Sequence, residues 1–221
     1  MNTAPSDPSD GVAFAAEGVV ADLYHPAGTP RAVAIVAHGA GGNRQTLILR
    51  AYANELSGRG LLVALIDLPY RQRRPKGPPN ASGAAADRDG IRAAIAAIGG
   101  QFECPLIVGG HSYGGRQASI VVAEDPGVVQ GLLLSSYPLH PPGKPERART
   151  EHLPQISIPT VLVHGSTDPF ATTAELTEAI ALIPAPTRLV EINKTGHDLK
   201  PDKNPTARLA ADAIDELILA S

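Results

Sequence analysis

Six short apolar runs, each followed by a Gly- or Pro-containing turn and then a helical pattern, leave this chain very few ways to fold. They are AVAIVAHG (32–39), LLVALIDLP (61–69), PLIVGGHS (105–112), VQGLLLSS (129–136), PTVLVHG (159–165) and TRLVEIN (187–193). Several are almost unbroken Val, Ile, Leu and Ala, the signature of strands covered by helices on both faces. Helical patterns span 46–57, 84–98, 115–124, 172–182 and 205–219. Ile91, Ile95 and Ile98 form one apolar stripe, and Leu209, Ala213, Ile214 and Leu217 form another. Strand alternating with helix requires right-handed crossovers, so the expected fold class is α/β, with a mainly parallel twisted sheet covered by helices on both faces. The earlier stretch VAFAAEGVVADLYHP alternates more strongly and predicts an antiparallel strand or hairpin at the sheet edge. Sheets of this kind bind ligands at the carboxyl ends of their strands, so the residues that end each run carry the expected chemistry.

Composition bounds the rest. At 221 residues, 43% hydrophobic and 19% charged, the chain suits one domain, placed at 12–221. Its start, MNTAPSDPSDG (1–11), has no basic stretch followed by an apolar core, so it is expected to be a frayed tail rather than a signal peptide. A net charge of −3 gives no attraction to nucleic acid or to an anionic membrane, and no uncharged apolar run approaches the length of a membrane span. The single cysteine, Cys104, cannot pair within the chain, which suits a reducing, cytoplasmic setting; it is expected to act as a small buried hydrophobe.

The third run ends in Gly110-His111-Ser112-Tyr113-Gly114, a Gly-x-Ser-x-Gly pattern between strand and helix. Turning that sharply forces the serine into a strained conformation, and glycines two before and two after remove side chains that would collide. The turn lifts a hydroxyl above the sheet at the positive end of the next helix. A serine that only caps a helix is the competing reading; the strand–turn–helix position favours a nucleophile. A serine hydroxyl needs a base to take its proton. His197, in NKTGHDLK after the last run, is so placed, and Asp168, in HGSTDPF after the fifth, is the matching acid to orient it. The fourth run ends LLLSSYPL without a carboxylate; Asp198 adjoins the histidine and points elsewhere, and Asp67 precedes the serine and reads as structural. HGAGGNR (38–44) follows the first run, and the backbone N–H of Ala40, paired with that of Tyr113, is expected to stabilise an oxyanion. His38, His111 and His164 also end strands, but their spacing matches no metal-ligand motif, so no metal and no cofactor are expected and these rings are expected to bond backbone.

HGAGG, GGHSYGGRQAS, HGSTDPF and GHDL, in that order, resemble the α/β-hydrolase superfamily, close in size to dienelactone-hydrolase-like enzymes. The segment SSYPLHPPGKPERARTEHLPQISIPTVLVHGSTDPF is similar to a small hydrolase-like family that includes bacterial proteins, a testis-expressed hydrolase-like protein and a chromatin-complex subunit of animals. The resemblance covers the chain from about Ala32 onward. It implies an eight-stranded sheet, or one short of an edge strand, with Ser112, Asp168 and His197 as a triad. Dienelactone hydrolases use cysteine where this chain has Ser112, so their substrate does not transfer, and the scaffold-type relatives imply a non-catalytic binding module as the rival function.

The interval 137–158 is Pro-rich and short, so a minimal lid or none is expected, which favours small or water-soluble acyl esters over lipids. Peptide or carbon–carbon bond hydrolysis by the same triad is the further alternative. The loop PYRQRRPKGPPN follows Asp67, and Arg71, Arg73, Arg74 and Lys76 are candidates to attract an anionic group on the substrate, against a solvated-surface reading of the same charges. Arg116 and Gln117, opening the helix after Ser112, and Tyr137 and His140 opposite them, are the remaining candidates for substrate contact.

Overall fold

A computed structural model describes residues 11–220. Apart from Gly11, the expected N-terminal tail lies outside the described residues. Strands β1 (Val12–Ala16) and β2 (Val19–Tyr24) form the predicted edge hairpin, turning at Gly18, whose φ of 73° is costly for any residue with a side chain. Then follow β3 (Ala32–Ala37), α1 (Leu47–Gly58), β4 (Leu61–Ile66), α2 (Pro69–Arg73), α3 (Ala84–Ala94), β5 (Leu106–His111), α4 (Tyr113–Glu124), β6 (Gly131–Ser135), β7 (Thr160–Gly165), α5 (Thr173–Ile180), β8 (Thr187–Ile192) and α6 (Thr206–Leu217).

All eight strands join one sheet in the order β1-β2-β4-β3-β5-β6-β7-β8, so no edge strand is missing. Strand β2 runs antiparallel to β1 and β4, whereas β3 through β8 are mutually parallel. Strands β3 to β7 are buried along their whole length, which is why their sequences are continuously apolar. One face packs Leu49, Tyr52 and Ile214 of α1 and α6 against Val36, Val63 and Leu133. The other packs Ile91, Val121 and Leu176 of α3, α4 and α5 against Ile35, Leu62 and Leu134. The strand order reverses between neighbours β3 and β5, and their carboxyl ends open the crevice expected at such a switch point.

The structure departs locally from the sequence expectation in α3 and in the segment after β4. The helix predicted over 84–98 is α-helical only to Ala94; a wider turn over Ile95–Gly99 completes it and keeps both Ile95 and Ile98 buried. The basic segment after β4 is not all loop. Pro69 starts the short helix α2, which α3 can approach because Gly90 has no side chain: a Cβ there would lie 2.5 Å from the Pro69 ring. Residues 137–158 contain only two single turns, Pro145–Arg147 and Leu153–Gln155, and no inserted layer. Cys104 is half-buried against the core, and burial pushes its thiol up. No helix among the described residues is long and apolar enough to cross a membrane.

Candidate active site

Ser112 follows β5 directly and caps α4, with φ 52° and ψ −117°, a region that residues with side chains rarely occupy. The flanking glycines make this turn sterically possible. A Cβ at Gly110 would lie 2.4 Å from the Ala37 carbonyl oxygen, and one at Gly114 would lie 2.5 Å from that of His38. The end of β3 is therefore pressed against the turn, which brings the 39–42 loop over Ser112. The serine's own N–H donates to the Ser135 carbonyl at 2.7 Å, extending the β5–β6 ladder through the turn.

The other two predicted side chains converge on this hydroxyl. Ser112 Oγ–H donates to His197 Nε2 at 2.8 Å, and His197 Nδ1–H donates to Asp168 Oδ2 at 2.8 Å. The carboxylate, being only an acceptor, fixes the imidazole tautomer with its free lone pair toward the serine. The Asp168 side chain is fully buried, and its second oxygen accepts the Phe170 N–H at 2.9 Å. Because β8 lies three strands from β5, its loop must cross the ends of β7 and β6 to deliver His197. It crosses β7 where a Cβ at Gly165 would sit 2.3 Å from the Thr195 carbonyl, and the Thr167 N–H donates to that same oxygen at 3.0 Å. At β6, Ser136 Oγ–H donates to the His197 carbonyl at 2.9 Å.

Ser136 and Phe170 escaped the sequence reading. The Phe170 ring packs on the His197 ring at 4.4 Å between centroids, and its position two after the acid in DPF was the available signal. Ser136 occupies the strand end where a carboxylate was sought and not found. His111 also reaches the cleft; burial, with His197 adding its effect, pushes its pKa down to about 3, so its ring is neutral.

The cleft measures about 480 Å³ and is lined by residues 39–42, Thr46, His111, Ser112, Phe170 and His197. Tyr113 is the first residue of α4, so its N–H has no acceptor inside the helix. Ala40, the other expected donor, lies in the loop that lines the cleft. The carbonyls of this loop are occupied elsewhere. Leu68 N–H donates to His38 Nε2 at 3.2 Å, which puts the ring proton on Nδ1, 2.8 Å from the Gly39 oxygen. The Gly42 N–H reaches the same oxygen at 3.1 Å.

None of the eight residues expected to contact substrate lines the cleft, and Arg73 and Lys76 are exposed on the segment that begins at α2. Arg71 is 5% exposed and donates to the carbonyls of Gly42 (2.7 Å), Ala40 (3.3 Å), Arg74 (3.0 Å) and Gly77 (3.0 Å). A guanidinium so occupied is a bracket between backbone segments, not a free anion receptor. Arg74 donates to the Pro78 carbonyl at 2.7 Å. Gln117 is fully buried under α4 and accepts from Arg88 at 3.3 Å. Arg116 lies beside Tyr137 and Arg149, where burial and then its charge push the Arg149 guanidinium down. The Tyr137 hydroxyl donates to the Arg149 carbonyl at 2.6 Å. His140 meets Glu175 at 3.3 Å in a separate cavity of about 390 Å³. In each case α-helix or loop geometry turns the side chain away from the strand ends, which residue type and spacing do not encode.

Asp67 is structural, as expected: it binds the Arg44 guanidinium and accepts the Arg44 N–H at 2.8 Å. Of the strand-end histidines, His38 bonds backbone as expected, whereas His111 lies 3.4 Å from the Ser135 hydroxyl. Among the described residues no three His, Cys, Asp or Glu side chains group as metal ligands.

The fold is similar to that of several solved proteins. A dienelactone hydrolase from Anabaena variabilis is 22% identical, with 94% of this chain and 97% of that chain covered and a TM-score of 0.73. A serine hydrolase without a lid from Xanthomonas campestris is 17% identical, with 96% and 95% covered and a TM-score of 0.72. Est1E from Butyrivibrio proteoclasticus, with ferulic acid bound, is 14% identical, with 95% and 99% covered and a TM-score of 0.71. Residues 30–220 match the alpha/beta hydrolase domain family, and the chain belongs to that family.

Proposed function

We propose that this protein is a cytoplasmic serine hydrolase that cleaves small, water-soluble acyl esters through an acyl-enzyme. The observation that carries this reading is the unbroken chain from Ser112 Oγ through His197 to the buried Asp168, with both hydrogen bonds at 2.8 Å, ending on a strained serine at a helix N-terminus.

In the acylation step Ser112 Oγ attacks the ester carbonyl carbon as its proton passes to His197 Nε2. The carbonyl oxygen becomes an anion facing the N–H groups of Ala40 and Tyr113, and Asp168 stabilises the imidazolium. The C–O bond to the alcohol then breaks, and His197 returns the proton to the departing oxygen. A water molecule repeats the sequence on the acyl-enzyme: His197 takes its proton, the hydroxyl adds to the carbonyl carbon, and the Ser112–acyl bond breaks with return of the proton to Oγ. The products are a carboxylic acid and an alcohol.

A cleft of about 480 Å³, with only single turns between β6 and β7 to cover it, fits acyl groups of modest size. The ferulic acid held by Est1E is an aryl acid of that scale. The test is hydrolysis of p-nitrophenyl esters of graded chain length, with a fluorophosphonate probe in parallel. Turnover fastest on short acyl chains is expected, with labelling of wild type and none of Ser112→Ala. An unlabelled wild type with no turnover would leave the binding-module function in its place.

A further inference from the structure

We propose that Arg71 and Tyr70, adjacent at the start of α2, are positioning residues for the oxyanion site: they hold the carbonyls of the 39–42 loop so that the Ala40 N–H faces Ser112 before substrate arrives. The inference rests on the serine-hydrolase reading above and adds residues which that reading does not use.

The N–H and C=O of one peptide point in opposite directions, so fixing a carbonyl fixes the amide hydrogen on its far side. The Ala40 N–H shares its peptide with the Gly39 carbonyl, and the Gly41 N–H shares its own with the Ala40 carbonyl. A loop with glycine at 39, 41 and 42 has little intrinsic resistance to peptide rotation. Its orientation must come from partners on the carbonyl side.

On the Gly39 oxygen Tyr70 shares the task with His38 Nδ1–H at 2.8 Å and the Gly42 N–H at 3.1 Å, whereas among the described residues Tyr70 and Arg71 alone hold the Ala40 and Gly42 oxygens. The Tyr70 hydroxyl lies 3.1 Å from the Gly39 oxygen and 2.8 Å from the Ala40 oxygen. It has one proton, so it cannot serve both at full strength, and Arg71 supplies a second donor to Ala40 at 3.3 Å. Arg71 Nε then takes the Gly42 oxygen at 2.7 Å, closing the far end of the loop. The same guanidinium reaches the Arg74 and Gly77 carbonyls, so it ties the loop to the segment after α2. Burial pushes the Tyr70 pKa up to about 12, which keeps its donor proton in place at any working pH.

The other expected oxyanion donor is tied to the same device. Asp87, wholly buried on α3, accepts the Tyr70 N–H at 3.0 Å with one oxygen and the Tyr113 hydroxyl at 2.8 Å with the other. Tyr70 and Tyr113 also meet edge-to-face at 6.0 Å between ring centroids. The residues bearing the two N–H groups are therefore linked by side chains through Tyr70 and Asp87. No carboxylate pairs with Arg71 among the described residues; its charge rests on four carbonyl oxygens, where it also favours a developing oxyanion.

The test uses Arg71→Met, which keeps the apolar stem and removes donors and charge, Arg71→Lys, and Tyr70→Phe. Removing an oxyanion donor typically lowers kcat about 10²–10³-fold, and a donor left in place but unanchored should lose part of that, about 10–100-fold for Arg71→Met. The KM for p-nitrophenyl acetate should move by no more than about threefold, since the ground-state carbonyl barely uses the hole. Affinity for an alkyl trifluoromethyl ketone, which forms an oxyanion on Ser112, should fall in parallel with kcat/KM. Arg71→Lys should lie between wild type and Arg71→Met, because an ammonium restores charge but not the fork. Tyr70→Phe, which leaves the ring packing intact, should lose about tenfold in kcat with the same split, and it carries the test if Arg71→Met fails to fold. Unchanged kcat in Tyr70→Phe or folded Arg71→Met, or a ketone affinity that stays at the wild-type value while kcat falls, would overturn the proposal. Inactive wild type, or activity surviving Ser112→Ala, would instead overturn the underlying hydrolase reading.

Discussion

Replacing Asp168 by Asn changes one atom in a fully buried site, and the structure dictates which way the new amide must face. The Phe170 N–H donates to Oδ1 at 2.9 Å and needs an acceptor there, so the amide oxygen stays at that position and the NH₂ takes the place of Oδ2. An NH₂ facing His197 can be satisfied only if Nδ1 becomes an acceptor, which moves the ring proton to Nε2, against Ser112. That tautomer cannot accept the serine's proton. Forcing the productive tautomer back sets two donors against each other in a buried site, at a cost of about 1–3 kcal/mol. The transition state also loses the charged partner of the imidazolium, about 1.5–3 kcal/mol for a hydrogen bond to a charged group. Together these predict a kcat lower by about 10²–10⁴-fold, with KM within a few-fold and the melting temperature close to wild type, because every hydrogen bond survives in the unproductive tautomer. Initial rates on p-nitrophenyl acetate and the rate of fluorophosphonate labelling should fall together. If Asp168→Asn folds and retains kcat within fivefold, Asp168 is not what orients His197.

Three further outcomes follow from the same geometry. Ser112→Gly should abolish turnover yet raise stability by about 1 kcal/mol in denaturant melts, because glycine relieves a conformation at φ 52° that costs about 1–3 kcal/mol for other residues; a less stable variant would mean that the turn holds no strain. Gly114→Ala should destabilise by more than about 3 kcal/mol or fail to fold, since its Cβ would meet two backbone oxygens at 2.5 and 2.6 Å, while Gly41→Ala, with nothing within 4 Å, should stay within about 1 kcal/mol of wild type; equal melts for the two would refute the close approach of β3. Stability should fall as pH drops below about 6.5, because burial pushes His111 down to about 3 and His152 down to about 4, so the unfolded chain takes up protons that the folded chain refuses. Each such histidine contributes a slope of at most about 1.4 kcal/mol per pH unit between its folded and unfolded values, and His111→Gln should flatten the melting-temperature profile between pH 6.5 and 5.

Strand ends were the legible part of this molecule. Continuous apolar runs located β3 to β7 because burial on both faces demands that composition, the part-exposed edge strand β8 carried a weaker apolar run, and the edge hairpin showed itself by alternation. Parallel strands deliver their following loops to one rim, so Ser112, Asp168 and His197 could be brought together from order along the chain alone. Side-chain direction within helices and irregular segments was not legible. Arg116 and Gln117 follow Ser112 closely, but a helix turns 100° per residue, and these two leave the cleft within one turn. Ser136 is a small polar residue whose task is to hold a carbonyl that approaches from two strands away, and no local pattern announces such a contact.

Arg71 is the instructive error, because a stricter accounting of the backbone exposes it. In the oxyanion loop proposed for HGAGG, the Ala40 N–H must stay unengaged toward a reacting oxygen, while the Gly42 N–H turns back to the Gly39 carbonyl. Every such peptide carries a carbonyl on its opposite side, and buried carbonyls need donors as strictly as buried N–H groups need acceptors. The Gly39, Ala40 and Gly42 carbonyls therefore require a cluster of donors without acceptor character behind them. Arginine, with five N–H groups and no lone pair, meets that demand best, and a tyrosine hydroxyl next to it supplies the remainder. The tyrosine–arginine pair after β4, the strand adjacent to β3, is the nearest source of both. Read as charge, RQRRPK predicts an anion receptor; read as donors matched to the carbonyls that an oxyanion loop must turn away, its first arginine belongs inside the protein, where the structure has it.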